Sequence, residues 1–492
     1  MVNSDLVNEL LQSTLRNPEK IALAEHDNKL TYSELWQSIS IAAKKLNERG
    51  VTAGDRVLFS LNNTAVFVIL HFAILKLKAI SVPVDKMISE TNLDFIIKDV
   101  NPLLIISDKN WKKKINTTLE KFVDSSDLLD NYVMDNKKEI SDYGHEVGNN
   151  NNLAVILFTS GSTGSPKGVM LSNSNTLQTV SNIIDFCEYD KNCFELVTLP
   201  LSHSFGLGQV YAMLFSGGSV FLETGMLRMK RIFKAMDDYK ITGFPTTPKG
   251  VDLIINQYAE IFKSKAQHLQ TLVVNSAPLM PDQTKKLQKI LPNSKIYVYY
   301  GLTEASRSSF ACLTDLGSDM YSTVGLPMDS VEIAIEKETG EIFISGPTVS
   351  IGYWPNKLFN TSHNQFPIIS TGDIGRFDRQ GNLYITGRIK DQINVGGYKV
   401  DPFEVEKVVK KFEMIKDIAV IGFNKNNEEH IAYFIVPVDF QNFKELDVEN
   451  YCRGKIEYYK MPNKIIILEK LPEGVNGKID RIALKELIKD IK

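Results

Sequence analysis

Between Phe158 and Val169 the chain reads FTSGSTGSPKGV: three glycines, three serines, two threonines, one proline and one lysine in twelve residues. Glycines such as Gly161 and Gly164 let backbone N–H groups turn toward one point. Thr159, Ser160, Ser162, Thr163 and Ser165 add hydroxyl donors, and Lys167 adds a point charge. Groups of this kind suit a polyphosphate. A flexible Gly/Ser surface loop is the competing reading, but the strand pattern LAVILFT runs straight into the stretch and a lysine stands inside it. A Walker loop, GxxxxGK[ST], is not met. Counted from Gly161, the sixth residue is Pro166, and Gly168 follows Lys167. No GxGxxG opens a helix either, so the dinucleotide fingerprint is absent.

Three more blocks follow in order: YYGLTEAS at Tyr299 to Ser306, STGDIGRFDRQGNLYITGRIKDQINVGGYKV at Ser370 to Val400, and LPEGVNGKIDR at Leu471 to Arg481. Taken with TSGSTGSPKGVMLSN, they resemble the signature motifs of the adenylate-forming enzymes: acyl-CoA synthetases, peptide-synthetase adenylation domains and firefly-type luciferases. The pattern is most similar to acyl- and aryl-acid ligases. A weaker echo begins at LTYSEL, Leu30 to Leu35, so the resemblance covers nearly the whole chain. It implies a reaction in two halves. A carboxylate attacks the α-phosphate of ATP, giving an acyl-adenylate and pyrophosphate. A phosphopantetheine thiol, of CoA or of an acyl carrier protein, then takes the acyl group and AMP leaves. ATP and Mg²⁺ are the implied cofactors, and a small carboxylic acid is the implied substrate.

The resemblance also implies roles. The loop with Thr159, Ser160, Gly161, Ser162, Thr163, Gly164 and Lys167 holds the β- and γ-phosphates. The Tyr300 ring, next to Gly301, stacks on adenine. Thr303 contacts phosphate, and Glu304 supplies the Mg²⁺ carboxylate; a hard dication takes its other oxygens from phosphates and water. Ser276, Ala277 and Pro278 lie under the purine. Asp373 accepts the ribose hydroxyls, although a turn-forming aspartate is its bland alternative. Arg388 lies beside ribose and phosphate. Lys390 is the hinge, with Asp391 a close alternative. Gly396 and Gly397 line the thiol path. Lys478 bridges the acyl carboxylate and the α-phosphate; on its own, its Asn-Gly-Lys setting reads as a tight hairpin with a solvated lysine. His203, in LPLSHSFGLGQ, stands where the family carries a gate near the α-phosphate, and a structural loop histidine is the alternative. Leu199 to Gly208 holds no acidic residue, which disfavours an α-amino-acid substrate. GFPTTP, Gly243 to Pro248, is expected to add pocket wall. Arg307 receives no role.

The elements that must position these residues alternate between helix and strand. SELWQSISIAAKKLNERG is an amphipathic helix ending at Gly50, and DRVLFSL, AISVPV and PLLIISD are short apolar strands. That alternation predicts an α/β fold with mainly parallel sheets. Beyond Thr386 the pattern changes. A helix over 402–412, strands at 418–423 and 430–437, a helix near 447–458 and a strand at 464–468 predict a small α+β domain. The expected organisation is a large N-terminal domain of stacked α/β sheet subdomains, 1–388, which binds ATP and acyl group. A small mobile C-terminal domain, 389–492, carries Lys478.

The chain has 492 residues, too many for one ordinary core, and a formal net charge of -3. Nothing in that balance calls for nucleic acid. Cys187, Cys193, Cys312 and Cys452 form no CxxC pair or metal spacing, which reads as free thiols in a reducing compartment. The most apolar run, 65–84, contains His71, Lys76 and Lys78 and is ended by Pro83, so a buried helix and strand are expected rather than a membrane span. A cytoplasmic location follows as the expectation. Other classes are weaker. A stand-alone amino-acid adenylation enzyme loading a peptidyl carrier is the nearest alternative. A serine hydrolase built on Ser204 lacks the glycine of a nucleophile elbow at position 202. A non-catalytic nucleotide-binding relative is disfavoured because Glu304, Asp373 and Lys478 are all present.

Overall fold

The computed structural model describes residues 4–26, 28–115, 121–129, 152–159, 166–362, 365–395, 398–425, 428–453, 455–473 and 479–490. Its contacts divide the chain into two compact units. One is Met1–Ile333 with Ile344–Ile369; the other is Ala334–Phe343 with Ser370–Lys492.

Two large sheets build the first unit. In one, six parallel strands lie in the spatial order Lys295–Tyr300, Thr271–Val274, Gly243–Thr246, Phe194–Val197, Ser219–Leu222 and Ile21–Glu25. Antiparallel strands Ser309–Cys312 and Asn28–Thr31 flank this core. In the other sheet, Leu153–Thr159, Ile80–Pro83, Arg56–Ser60, Leu104–Ser107 and Phe122–Asp124 run parallel. Lys167–Ser172 and Gly352–Tyr353 add antiparallel strands beside Leu153–Thr159. Strands covered on both faces are largely apolar, and Thr271–Val274 and Ser219–Leu222 are buried at every residue.

The helices follow their sequence signals. Tyr32–Glu48 begins at a capping box in which Thr31 and Glu34 satisfy each other's backbone N–H. The chain leaves it through Gly50 at φ +86°, a left-handed conformation that costs glycine nothing. The apolar run becomes the helix Ala65–Lys76 and the strand Ile80–Pro83. His71, the polar residue inside it, is fully buried. Its ring meets Ser81 Oγ at 2.7 Å and Tyr211 Oη at 2.5 Å, and burial lowers its pKa to about 3, so the imidazole is neutral. Among the described residues no helix is long and apolar enough to cross a membrane. All four cysteines are free thiols.

Parallel strands end together, and loops at their carboxyl ends form the usual ligand crevice of such sheets. The segments 198–208, 275–278 and 301–306 all leave the large sheet at that end. Near its other end, Glu195 is buried in the strand Phe194–Val197. The carboxyl accepts from Tyr189 Oη at 2.8 Å and Gln209 Nε2 at 3.0 Å, yet burial raises its pKa from 4.5 to about 8. An acid whose folded pKa is raised contributes stability below its unfolded pKa and loses it as pH climbs through the folded value. Glu195→Gln keeps the acceptor and removes the titration. Relative to wild type, its urea midpoint is expected to rise steadily from about pH 5 to about pH 9. A difference independent of pH would contradict this.

The second unit takes the strand Ile368–Phe377 from Ser370 onward, and Asp373–Phe377 pair antiparallel with Leu383–Arg388. The helix Pro402–Val409 follows, capped by Asp401 with proline at its first position. Ile415–Lys425 and Glu428–Pro437 form a long antiparallel pair, and Lys464–Ile467 joins in parallel. The helix is shorter than the sequence suggested, and the first of these strands begins three residues early at Ile415. Contacts divide the chain ahead of the 388/389 boundary read from the sequence. Gly387 makes one reason visible: a Cβ there would lie 2.2 Å from the Asp401 carboxyl, so Leu383–Arg388 and the helix cap are in close contact.

Candidate active site

The phosphate-loop flanks form an antiparallel pair, Thr159 opposite Lys167. Ser160, Gly161, Ser162, Thr163 and Gly164 lie outside the described residues. Lys167 Nζ stands 5.4 Å from the centroid of the Tyr353 ring, an ordinary cation–π distance. Tyr353 is there because Gly352–Tyr353 pairs with Lys167–Ser172, placing it opposite Val169. Its hydroxyl donates to Glu304 Oε1 at 2.7 Å. Burial first, and the Glu304 carboxylate second, push that phenol above its usual pKa, so it stays a donor. The loop lysine and the expected metal carboxylate are thereby joined through one tyrosine.

Glu304 sits in a tight turn. Leu302 and Ala305 exchange backbone bonds at 3.0 and 3.2 Å, and Ser308 N reaches Tyr300 O at 2.8 Å. Gly301 admits no side chain: a Cβ would lie 2.6 Å from Arg307 N and 2.7 Å from Ala305 O. Tyr300, the buried last residue of its strand, precedes Gly301, and Thr303, half-buried, follows it by two residues. On the neighbouring strand end, Ser276 adopts φ +84°, rare for a residue with a Cβ and of the kind concentrated at ligand sites. Its N–H donates to Asn275 Oδ1 at 2.5 Å, while the Asn275 side chain also bonds Tyr299. Ala277 and Pro278 are exposed.

His203 precedes the helix Ser204–Phe215. Its Nε2 lies 3.6 Å from Asp85 Oδ2, and the bond with His203 is the largest cause that lowers the Asp85 pKa. Asp85 therefore stays ionised beside the imidazole. Sequence reasoning missed both Asp85 and Tyr353. Asp85 follows the Ile80–Pro83 strand as an ordinary loop acid, and Tyr353 belongs to a strand of two residues. Neither leaves a local pattern.

In the second unit, Asp373 lies within a strand rather than a turn, and its partner across the ladder is Arg388. Arg388 Nε approaches Asp373 Oδ1 at 2.7 Å, the aspartate buried and the arginine half exposed. Lys390 is exposed in a short 3₁₀ turn, Ile389–Asp391. Asp391 reaches Arg481 at 4.0 Å. Gly396, Gly397 and Lys478 lie outside the described residues; Glu473 and Ile479 on either side of 474–478 form an antiparallel bridge. Asp373→Ala is expected to raise the KM for ATP roughly 10- to 100-fold, the range for a hydrogen bond to a charged group. Half-exposed Arg388 can turn to water, so circular dichroism should be unchanged. An unaltered KM would remove Asp373 from the nucleotide site.

Among the described residues no group of three or more His, Cys, Asp or Glu could hold a metal ion. A protein cage for a dication is therefore not formed by them. A single carboxylate, Glu304, held by Tyr353 with Lys167 over the same ring, fits Mg²⁺ bound chiefly through a nucleotide.

Comparison with known proteins agrees with this geometry. The family model "AMP-binding enzyme" matches residues 11–354, and "AMP-binding enzyme C-terminal domain" matches 404–478. The chain is 28% identical to the oxalate–CoA ligase of Arabidopsis thaliana over 98% of each chain. It is 25% identical to the 2-succinylbenzoate–CoA ligase of Bacillus cereus over 98% of this chain and 99% of that one. Among solved structures, ATP-bound MatB from Rhodopseudomonas palustris is similar over the full length of both chains, with a TM-score of 0.89 and 24% identity. MenE from Bacillus subtilis with ATP and magnesium ion has a TM-score of 0.84 at 22% identity, over 98% of this chain and 99% of that one. With one family model covering most of the first unit and a second model following it in order, the chain belongs to the AMP-binding enzymes.

Proposed function

We propose that the protein is an ATP-dependent carboxylic acid–thiol ligase working through an acyl-adenylate. The observation that carries this reading is the union of Lys167, Tyr353 and Glu304 at the carboxyl end of the sheet. A cation, Lys167, and a carboxylate held by the Tyr353 hydroxyl are what a polyphosphate with its metal ion would need, which supports the reading. A bound Mg²⁺ would supply Lewis-acid neutralisation of phosphate charge.

In the first half-reaction a carboxylate oxygen bonds to the α-phosphorus, and the bond from that phosphorus to the α–β bridging oxygen breaks. Charge crowds at the α-phosphorus, so donors fixed in advance are worth most there. Thr303 and Lys478 are assigned that work, while Lys167 and its loop are assigned the β- and γ-phosphates. Tyr353 holds Glu304 by a hydrogen bond, and Asp85 sets a negative charge beside the His203 ring. Ser276, Ala277, Pro278, Tyr300 and Gly301 receive the base, while Asp373 and Arg388 receive the ribose. In the second half-reaction a thiolate bonds to the acyl carbon and AMP departs with the oxygen. Rotation about Lys390 or Asp391, with Gly396 and Gly397 along the thiol path, is assigned to that step. We place the working boundary between a large domain, 1–388, and a small one, 389–492.

The acceptor is CoA or a carrier-protein phosphopantetheine, and relatives named as CoA ligases over almost all of their length support the former. The test is pyrophosphate release with a panel of short dicarboxylates, aryl acids, fatty acids and amino acids, with and without CoA. Acid-dependent release, with thioester only when CoA is present, is expected. Release with amino acids alone would overturn the substrate reading.

A further inference from the structure

Arg307 has one of the largest fully buried side chains, 1% exposed, and its backbone is left-handed at φ +57°. It stands three residues beyond Glu304. Its Nη1 donates to Ser204 O and to Ser306 Oγ, both at 2.8 Å, and its Nη2 donates to Phe205 O at 3.0 Å. The guanidinium lies 4.8 Å from the Tyr299 ring centroid and 5.6 Å from that of Phe205. Gly208 leaves the space it fills: a Cβ there would lie 2.8 Å from both Nη atoms. Among the described residues no carboxylate forms an ion pair with it, and Nε has no hydrogen-bond partner.

Stability does not account for this arrangement. A cation beside the first turn of a helix opposes the helix dipole. A buried charge is often replaceable by apolar side chains of similar volume without loss. What arginine supplies, and methionine cannot, is two directed bonds to the main chain of another segment. Those carbonyls belong to the residues immediately after His203. The bonds therefore join two segments far apart in sequence: the turn 301–306, with Thr303 and Glu304, and 199–208, with His203 and the first turn of the helix Ser204–Phe215.

We propose that Arg307 is a positioning residue that locks the phosphate- and metal-binding turn to the acid-binding segment, so that nucleotide binding at one orders the other. The proposal rests on the nucleotide reading given above. Substrate acid is not needed for the test. Hydrogen exchange is measured by mass spectrometry on the full-length protein with and without ATP and Mg²⁺, in wild type and in Arg307→Met. In wild type, ATP and Mg²⁺ are expected to slow exchange in 301–306 and in 199–208. In the variant, protection of 301–306 should persist. Protection of 199–208 should weaken by roughly fivefold or more, the low end of ordinary coupling between sites. If Arg307→Met fails to fold, Gly208→Ala repeats the test, because its methyl displaces the guanidinium while the arginine remains. A side chain that only filled space would leave the coupling intact in a folded variant. Protection of 199–208 undiminished in the variant, or absent from wild type while 301–306 is protected, overturns the role of Arg307. Absence of protection everywhere in wild type overturns the nucleotide reading, and this proposal with it.

Discussion

Lys478→Ala is expected to slow acyl-adenylate formation by about 10²–10³, the cost of removing one electrostatic contact aimed at developing charge. The physical reason is local. A carboxylate and an α-phosphate repel each other, and the attack adds negative charge between them. A cation that bridges both groups is most useful at that moment and gives little to substrate binding, so kcat should fall more than affinity for ATP. Thioester formation offers no such crowding. The same variant, supplied with ready-made acyl-adenylate, should therefore transfer the acyl group to thiol at close to the wild-type rate. Single-turnover kinetics of each half-reaction measure both numbers. Equal loss in both halves, in a folded variant, would remove Lys478 from the adenylation step.

Glu304→Gln is expected to have the next largest effect. In the proposed reading this carboxylate binds the metal ion, and an amide is neutral and a poorer ligand for a hard dication. Pyrophosphate release should fall by about 10² or more, and higher Mg²⁺ should recover part of the loss. Tyr353→Phe removes only the hydroxyl that orients Glu304, and outer-shell changes of this type cost roughly 10–100-fold. The two should not add when combined, because the tyrosine acts through the carboxylate. Mg²⁺ titrations of pyrophosphate release in both single variants and the double variant check the ranking. Additive losses would mean that Tyr353 acts on something other than Glu304.

How far these residues could be read in advance depended on the range of the interaction. The buried helix Ala65–Lys76 and the strand Ile80–Pro83 follow from a continuous apolar run closed by proline. The Tyr32–Glu48 helix follows from its capping box and terminal glycine. Thr303, Glu304 and Asp373 became candidates because short motifs mark them. Tyr353 and Asp85 left no such mark: the Tyr353–Glu304 bond depends on which residue of Lys167–Ser172 a two-residue strand pairs with. Arg307 was visible as a residue out of place, but its partners are carbonyls a hundred residues earlier, and main-chain acceptors carry no sequence signature. Boundaries slipped where packing decides. The helix at Pro402 stops at Val409, whereas apolar spacing alone would continue to Phe412.

The most direct test of the central claim is which phosphate bond of ATP is cut. The purified protein is incubated with Mg²⁺, ATP labelled on the α-phosphate and the acid panel, and the products are separated before and after CoA is added. Acid-dependent conversion of the label to acyl-adenylate, with pyrophosphate released, is predicted before CoA, and conversion to AMP with thioester after it. Formation of labelled ADP, or AMP that appears equally without any acid, would contradict an adenylate-forming ligase.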